Sequence, residues 1–138
     1  MANLTVLEIK TDKDRLLQAL INLLSNAYKN TRKGEIALSI ASKARRCGQK
    51  FLAVTVSDTG RGISKKHSEI VFAPHKRIID PIENTKGHGL GLVVTRTIVK
   101  QFGGNLDFRQ NPCGQGTEFF FEFDYEVHNE SVEDSYIE

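Results

Sequence analysis

The chain has 138 residues, and its shares of hydrophobic and charged residues, 39% and 26%, are ordinary for one globular domain. Its longest apolar run, residues 51–56, is too short to cross a membrane, and the first residues lack the pattern of a secretory signal. Cys47 and Cys113 have no metal-binding spacing, so we predict free thiols in a reducing, cytoplasmic compartment.

The charges are unevenly distributed along the chain. Residues 124–138 hold six acidic residues and no Lys or Arg, which leaves residues 1–123 with all 19 basic residues and only 11 acidic ones. A basic body is typical of proteins that bind nucleic acid or polyphosphate, but no interleaving of basic and aromatic residues favours nucleic acid. We predict a domain over 1–124 and a disordered acidic tail over 125–138, with a partner-binding tail as the alternative.

A strand, a long helix and a β-hairpin are predicted in the first half of the chain. Residues 4–9 are rich in β-branched side chains, which indicates a short strand. A helix is predicted over 13–30, because apolar residues recur there at the spacing of one helix face. The members of this core stripe are Leu16, Leu20, Leu23 and Ala27. Strands over 35–43 and 51–56, joined by a turn at 45–49, are typical of an antiparallel hairpin.

The second half adds two helices and two strands. A short helix is predicted over 64–72 and a longer one over 90–102, which ends at a glycine pair. Residues 73–88 between them lack periodicity, and a loop of this length is usually functional or mobile. Strands are predicted over 105–109 and 116–123. We therefore predict an α/β sandwich, with a mixed, largely antiparallel sheet covered on one face by about three helices.

The first helix carries a polar stripe beside its core stripe. Asn22, Asn26 and Lys29 are spaced i, i+4 and i+7, so they share one helix face. Asn is a poor choice for an interior helical turn without a further role. An amide oxygen can bind Mg²⁺, and a lysine one turn further can meet a phosphate. The alternative is a solvated polar face.

Two glycine-containing stretches flank predicted buried strands. Asp58 ends one such strand, where its carboxylate can accept a hydrogen bond from the amine of an adenine base. Gly60 and Gly62 allow the following loop to pass close beneath that base. Thr117, after a second Gly-x-Gly, can bond near the base. The alternatives are a plain turn and a plain strand start.

Three glycines at alternate positions, Gly87, Gly89 and Gly91, open the last predicted helix. Unpaired N–H groups and the positive end of the helix dipole would face whatever lies in front of them, an arrangement that suits a polyphosphate. Taken alone, such a run is as often only a tight turn.

Together these stretches resemble the motifs of the GHKL ATP-binding superfamily in its histidine-kinase form. LLQALINLLSNAYKNT is similar to the N box, VSDTGRGIS to the G1 box, IVFAPHKR to the F box, KGHGLGLVVTRTIVKQFGG to the G2 box and GQGTEF to the last glycine box. The match covers residues 5–124 in the family's order. The resemblance implies the Bergerat fold of a sensor histidine kinase's catalytic domain, cytoplasmic or the cytoplasmic part of a membrane-bound kinase.

The resemblance also implies ATP and Mg²⁺ as ligands. Asn26 would hold the metal, Asn22 would support it and Lys29 would contact phosphate. Asp58 would bind the adenine amine, and the base pocket would be completed by Gly60, Gly62 and Thr117.

A lid over about residues 72–89 is implied as well. It would bring Lys76 and Arg77 to the phosphates. The start of the last helix would cradle the phosphates with Gly87, His88, Gly89, Leu90, Gly91 and Leu92.

Asn22 bears on the reaction. Hydrolysing members of the superfamily carry a Glu at this position as general base, and an amide cannot take a proton. With Asn22, Asn26, Lys29 and Arg77 as catalytic residues, the γ-phosphoryl group would pass to a histidine on a separate dimerisation domain and indirectly to a response regulator. None of the four histidines, His67, His75, His88 and His128, lies in a phospho-acceptor helix pattern.

Two positions depart from the family pattern. Asn30 stands where an aromatic residue normally follows the N-box lysine, and His75 replaces the second aromatic of the F box. These departures leave open a degenerate binding or interaction domain. A related protein-serine kinase of the anti-sigma type is the other alternative. No nucleic acid partner and no membrane insertion are expected.

Overall fold

The structure is a computed structural model that describes residues 4–68, 70–72 and 91–133, with side chains described over 8–68, 70–72 and 91–126. The predicted long loop at 73–88 lies outside these residues. The elements in chain order are β1 (Leu4–Ile9), α1 (Lys13–Asn30), β2 (Ile36–Ala44), β3 (Lys50–Asp58), α2 (Lys65–Ser68), α3 (Gly91–Gln101), β4 (Asp107–Gln110), β5 (Thr117–Asp124) and β6 (Val127–Glu133).

Four strands form the main sheet, in the order β2-β3-β5-β4, and β1 pairs with β6 in a separate two-stranded sheet. Within the described part of the chain every strand pair is antiparallel. α1 and α3 pack side by side on one face of the main sheet. The predicted α/β sandwich is thereby confirmed.

The core lies between the two long helices and the central strands. Strand β5 alternates buried and partly exposed residues, and its inward-facing aromatic side chains include Phe119, Phe121 and Phe123. Leu23 and Ala27 of the predicted core stripe are buried, and the stripe's other two members pack partly against the same cluster. Asp12 is the N-cap of α1, with its carboxylate accepting from the backbone N–H of Arg15 at 3.2 Å.

The hairpin between β2 and β3 closes as predicted, because the backbone N–H of Arg45 donates to the carbonyl of Gln49 at 2.8 Å. The Arg45 guanidinium also lies 2.9 Å from the carboxylate of Asp124 and 4.4 Å from the ring centroid of Phe51. Its hydrogen bond to Asp124 raises the pKa of Arg45 above the ordinary value. One side chain thus holds the hairpin tip against the end of β5.

Residues 125–133 belong to the predicted acidic tail, and the structure describes backbone contacts for them. Tyr125 is 5% exposed, and its backbone N–H donates to Lys50 at 3.1 Å while its carbonyl accepts from Gln49 at 3.1 Å. Strand β6 then pairs along the whole of β1. Charge composition argued for disorder, but a free strand edge offers backbone hydrogen bonds that do not depend on side-chain charge.

Three smaller predictions have clear outcomes. The short helix predicted over 64–72 is only four residues long, and residues 70–72 form a turn. α3 ends at Gln101, just before the predicted glycine pair, and Gly103 has a φ of 84°, as a glycine after a helix often does. Both cysteines are free and exposed, as predicted. Among the described helices none is long and apolar enough to span a bilayer.

Candidate nucleotide site

The carboxylate of Asp58 is a buried polar group at the edge of the main sheet where β3 ends and β5 begins. It ends β3 and is only 2% exposed. Its Oδ1 accepts from the backbone N–H of Gly60 at 2.9 Å and from that of Thr117, the first residue of β5, at 3.3 Å. Both hydrogen bonds to this carboxylate from the described residues use the same oxygen. The second oxygen is therefore oriented and left to accept a donor from a ligand.

The loop after β3, residues 58–62, is fastened to the end of α1 and the start of β2; we call it the base loop. The backbone N–H of Thr59 donates to Glu35 at 3.1 Å, and the Thr59 hydroxyl accepts from the N–H of Glu35 at 2.9 Å. Gly60 lies so close to α1 that a Cβ there would collide with the carbonyl oxygen of Asn30. The base loop is therefore held in a defined position by backbone groups.

A third segment, the turn before β5, closes on the base loop from the other side. Gly116 has a φ of 90°, and a Cβ on it would collide with the carbonyl oxygen of Asp58. The side-chain amide of Asn111 donates to that same carbonyl at 2.9 Å. Sequence reasoning missed Asn111, whose position after a predicted strand signals only a turn.

The polar stripe of α1 faces the amino end of α3. The side-chain amide nitrogen of Asn22 lies 3.5 Å from the carbonyl oxygen of Gly91, at the limit of a hydrogen bond. Asn22 and Asn26 are half-buried, whereas Lys29 is exposed. Two residues that are 69 positions apart are thus brought together, at the amino end of α3.

The amide of Asn26 makes no hydrogen bond with any residue that the structure describes. Within the same residues no three His, Cys, Asp or Glu side chains converge as a metal cluster. A divalent cation here would depend on an amide oxygen, on water and on oxygens of a bound ligand. Mg²⁺ is typically held in this way, with few protein ligands and several from phosphates and water. The available residues therefore fit Mg²⁺.

The first turn of α3 is held by contacts on the side of the helix that faces the core. Thr95 is fully buried, and its hydroxyl donates to the carbonyl of Gly91 at 2.7 Å. Leu92 packs partly against the core, and among the described residues outside this helical turn none has an atom within 4 Å of the space that a Cβ on Gly91 would occupy. The other residues predicted for this end of the site lie outside the described residues, namely Lys76, Arg77, Gly87, His88, Gly89 and Leu90.

A recess of about 370 Å³ lies on the β4 side of the base loop. Gly62 and Thr117, both predicted for the base pocket, belong to its wall. Asp58 and the α1 amides do not line it, so the recess adjoins the predicted base site and does not contain it. Its volume is within the range of small-molecule sites.

Arg96 is a second residue that the sequence did not single out. Its guanidinium lies 4.9 Å from the ring centroid of Phe72, which itself makes edge-to-face contacts with Phe108 and Phe119. Its Nε is buried and has no hydrogen-bond partner in the described part of the chain. Arg96 thereby links α3 to the segment that follows α2.

Sequence comparison places this fold and site in a known family. The chain belongs to the histidine kinase-, DNA gyrase B- and HSP90-like ATPases, whose family profile matches residues 11–127. One relative is the sensor histidine kinase ZraS of Klebsiella oxytoca, which is 36% identical over 114 residues. These residues make up 82% of this chain and 22% of ZraS. The chain spans only about a fifth of that relative's length.

Two solved structures share the fold. Full-length ShkA in complex with AMPPNP superposes with a TM-score of 0.70 at 28% identity, covering 93% of this chain and 24% of ShkA. The nucleotide-free catalytic domain of the histidine kinase ThkA gives a TM-score of 0.65 at 30% identity, covering 84% of this chain and 70% of ThkA. The resemblance seen in the motifs is therefore confirmed at the level of the family.

Proposed function

We propose that this chain binds ATP with Mg²⁺ and supplies the γ-phosphoryl group to a histidine on a separate dimerisation domain of the same kinase, in two-component signalling. The observation that carries the proposal is the buried carboxylate of Asp58: one oxygen is held by two backbone N–H groups, and the other has no hydrogen-bond donor among the residues that the structure describes. Burial excludes water as a competitor, so this acceptor selects a ligand that brings its own donor.

The exocyclic amine of adenine is such a donor. In this proposal the base lies between the base loop and Thr117, with Gly60 and Gly62 allowing close approach. The packing of the loop supports this role for Gly60, because a side chain at position 60 would collide with the end of α1. A guanine base presents a carbonyl oxygen in place of that amine and would be rejected.

The phosphates in this proposal extend from the base loop toward α1 and α3. Asn26 would hold Mg²⁺, and Asn22 and Lys29 would support the site from the same helix. The contact between Asn22 and the first residue of α3 supports a common site for the polar stripe of α1 and the amino end of α3. Lys76 and Arg77 would reach the phosphates from the lid, and Gly87 to Leu92 would cradle them.

Asn22 favours transfer over hydrolysis. Phosphoryl transfer depends mainly on positioning and charge neutralisation, and bound Mg²⁺ would supply the latter. Hydrolysis needs a residue that positions and deprotonates water, and the amide of Asn22 cannot accept that proton. The chain's own residues would thus hold and orient the nucleotide, while the nucleophile comes from the partner domain.

The relatives support this assignment. ZraS is named a sensor histidine kinase, and ShkA was solved with AMPPNP. The partner of this chain would then be a dimerisation domain with a phospho-acceptor histidine, and indirectly a response regulator. The proposed location of the domain is the cytoplasm, where ATP and a response regulator are available.

The test combines nucleotide titration with phosphoryl transfer to an added acceptor-helix domain. We expect Mg²⁺-dependent ATP binding, weakened on the order of 100-fold by Asp58→Asn with its fold retained, because the amide places a donor against the donor of adenine. Transfer should follow only with a histidine acceptor. Unchanged affinity in Asp58→Asn would refute the base assignment. Binding without transfer would favour a degenerate binder, and transfer to serine would favour the anti-sigma type.

A further inference from the structure

Asn30 is the last residue of α1, and it touches the base loop in three ways. Its carbonyl oxygen accepts from the backbone N–H of Arg61 at 3.3 Å, and its side-chain Oδ1 accepts from Nη2 of Arg61 at 2.9 Å. The same carbonyl oxygen is the group against which Gly60 is packed. The side-chain bond is the shorter of the two, and its donor is a cation, which strengthens it.

The two residues joined by these contacts belong to the two ends of the proposed site. Asn30 follows Asn26 by one helical turn, and Arg61 follows Asp58 by three residues. A nucleotide with its base at Asp58 and its phosphates near Asn26 would bridge these ends. Its affinity therefore depends on the separation of α1 and the base loop.

We infer that Asn30 is a positioning residue of the nucleotide site: its side chain, acting through Arg61, holds the base loop at the separation from α1 that the nucleotide spans. The backbone bond of Arg61 and the bonds between Thr59 and Glu35 hold the backbone of the base loop. The side-chain bond between Asn30 and Arg61 adds a second contact at the α1 end, and so narrows the range of separations that the loop can adopt. The inference rests on the proposed function, and it explains how a residue that departs from the family's aromatic can serve the site.

A direct contact between the guanidinium of Arg61 and the nucleotide is the alternative to this positioning role, because Arg61 also lines the recess beside the base loop. If Arg61 met the nucleotide directly, its removal would weaken binding whether or not Asn30 were present. If it acts only as the partner of Asn30, removal of either residue should remove the same contribution. A double-mutant cycle separates these two cases.

The experiment measures Mg·ATP and Mg·ADP affinity by calorimetry for the full chain. The variants are Asn30→Ala, Arg61→Met, the double variant and Asn30→Asp. We expect each single variant to bind about three- to tenfold more weakly, with the double variant no weaker than the singles. Asn30→Asp should stay within about twofold of the unaltered chain, because its carboxylate also accepts from Arg61, and it should give no rescue beside Arg61→Met.

Two matched variants control for the substitutions themselves. Asn105→Ala removes an exposed asparagine between α3 and β4, and Arg46→Met removes an exposed arginine at the hairpin tip. Neither should change affinity. Additive losses in the double variant, or full affinity in Asn30→Ala, would overturn the inference. If the unaltered chain bound no nucleotide, or Asp58→Asn bound as tightly, the proposed function would fail instead.

Discussion

At the scale of single residues, the site depends on how closely backbone segments approach Asp58. Its carboxylate is held by N–H groups from two different segments, the base loop and the start of β5. Its backbone carbonyl oxygen accepts a hydrogen bond from the side-chain amide of Asn111. The same oxygen lies where a Cβ on Gly116 would be. A buried carboxylate fixed in this way needs no charged partner to keep its orientation, because charge-assisted bonds to backbone N–H groups are strong.

Gly116 should therefore tolerate no side chain. We expect Gly116→Ala to lower the free energy of unfolding by about 3 kcal/mol or more, since a positive φ and a collision with Asp58 act together. Gly48→Ala is the matched control, because Gly48 has a φ of 89° with nothing within 4 Å of a Cβ. It should lose only about 1–2 kcal/mol. Urea unfolding would measure both, and equal losses would contradict the packing argument.

Asn26 should act on the metal-dependent part of nucleotide affinity. We expect Asn26→Ala to remove most of the gain in ATP affinity that Mg²⁺ provides, a loss on the order of tenfold, with affinity in EDTA unchanged. The reason is that its amide oxygen is uncommitted among the described residues and would serve the cation. Titration with and without Mg²⁺ checks this. A loss of equal size in both conditions would assign Asn26 to the nucleotide itself.

At the scale of elements, the orientation of α3 is set by buried contacts on its inner side. Thr95 bonds back to Gly91 within the helix, and Val99 and Ile98 are buried in the core. The guanidinium of Arg96, which is also on α3, lies over the ring of Phe72. These contacts hold the helix whose first residue lies next to Asn22, and its amino end is where the proposed function places the phosphates.

A pair of threonines tests these contacts. The hydroxyls of Thr95 and Thr97 both donate to the carbonyl four residues earlier, but only Thr95 is buried. We expect Thr95→Val to destabilise the domain by about 1 kcal/mol, because a buried hydrogen bond is lost, and Thr97→Val to be nearly neutral. Amide exchange in the first turn of α3 would rise only in Thr95→Val. Similar exchange in both variants would show that the bond to Gly91 does not matter.

At the scale of the whole molecule, the chain end is divided between two sheets. Tyr125 belongs to the main core, where its hydroxyl also bonds the hydroxyl of Ser42. β6 pairs with β1 and with no other strand among those described. One residue thus closes the main sheet, and the following strand pairs with β1 in a separate sheet.

Removal of residues 127–138 should leave the site intact. We expect this deletion to keep cooperative unfolding and unchanged nucleotide affinity, with a smaller loss of stability than Tyr125→Ala, which should cost about 3 kcal/mol or more as a buried aromatic. Thermal unfolding and titration of both variants check the order. A larger loss from the deletion would mean that the β1–β6 pair supports the main sheet.

The sequence by itself was sufficient for the order of the elements from β1 to β5, the extent of α1 and the sandwich class. Helical and alternating periodicities depend on which residues face the core, and these are local properties of the chain. It was also sufficient to select Asp58, Asn26 and the glycine runs as candidate ligand groups, because amide, carboxylate and glycine each have few reasons to occupy such positions.

Only the tertiary structure decided how those groups meet. Gly60 and Thr117 donate hydrogen bonds to one oxygen of Asp58. Asn22 contacts Gly91, and Asn30 forms two hydrogen bonds with Arg61. These contacts join separate segments of the chain. The sequence also did not predict strand β6 in the acidic tail. Each depends on backbone groups that become neighbours only when the chain is folded, and no local pattern of side chains records their positions.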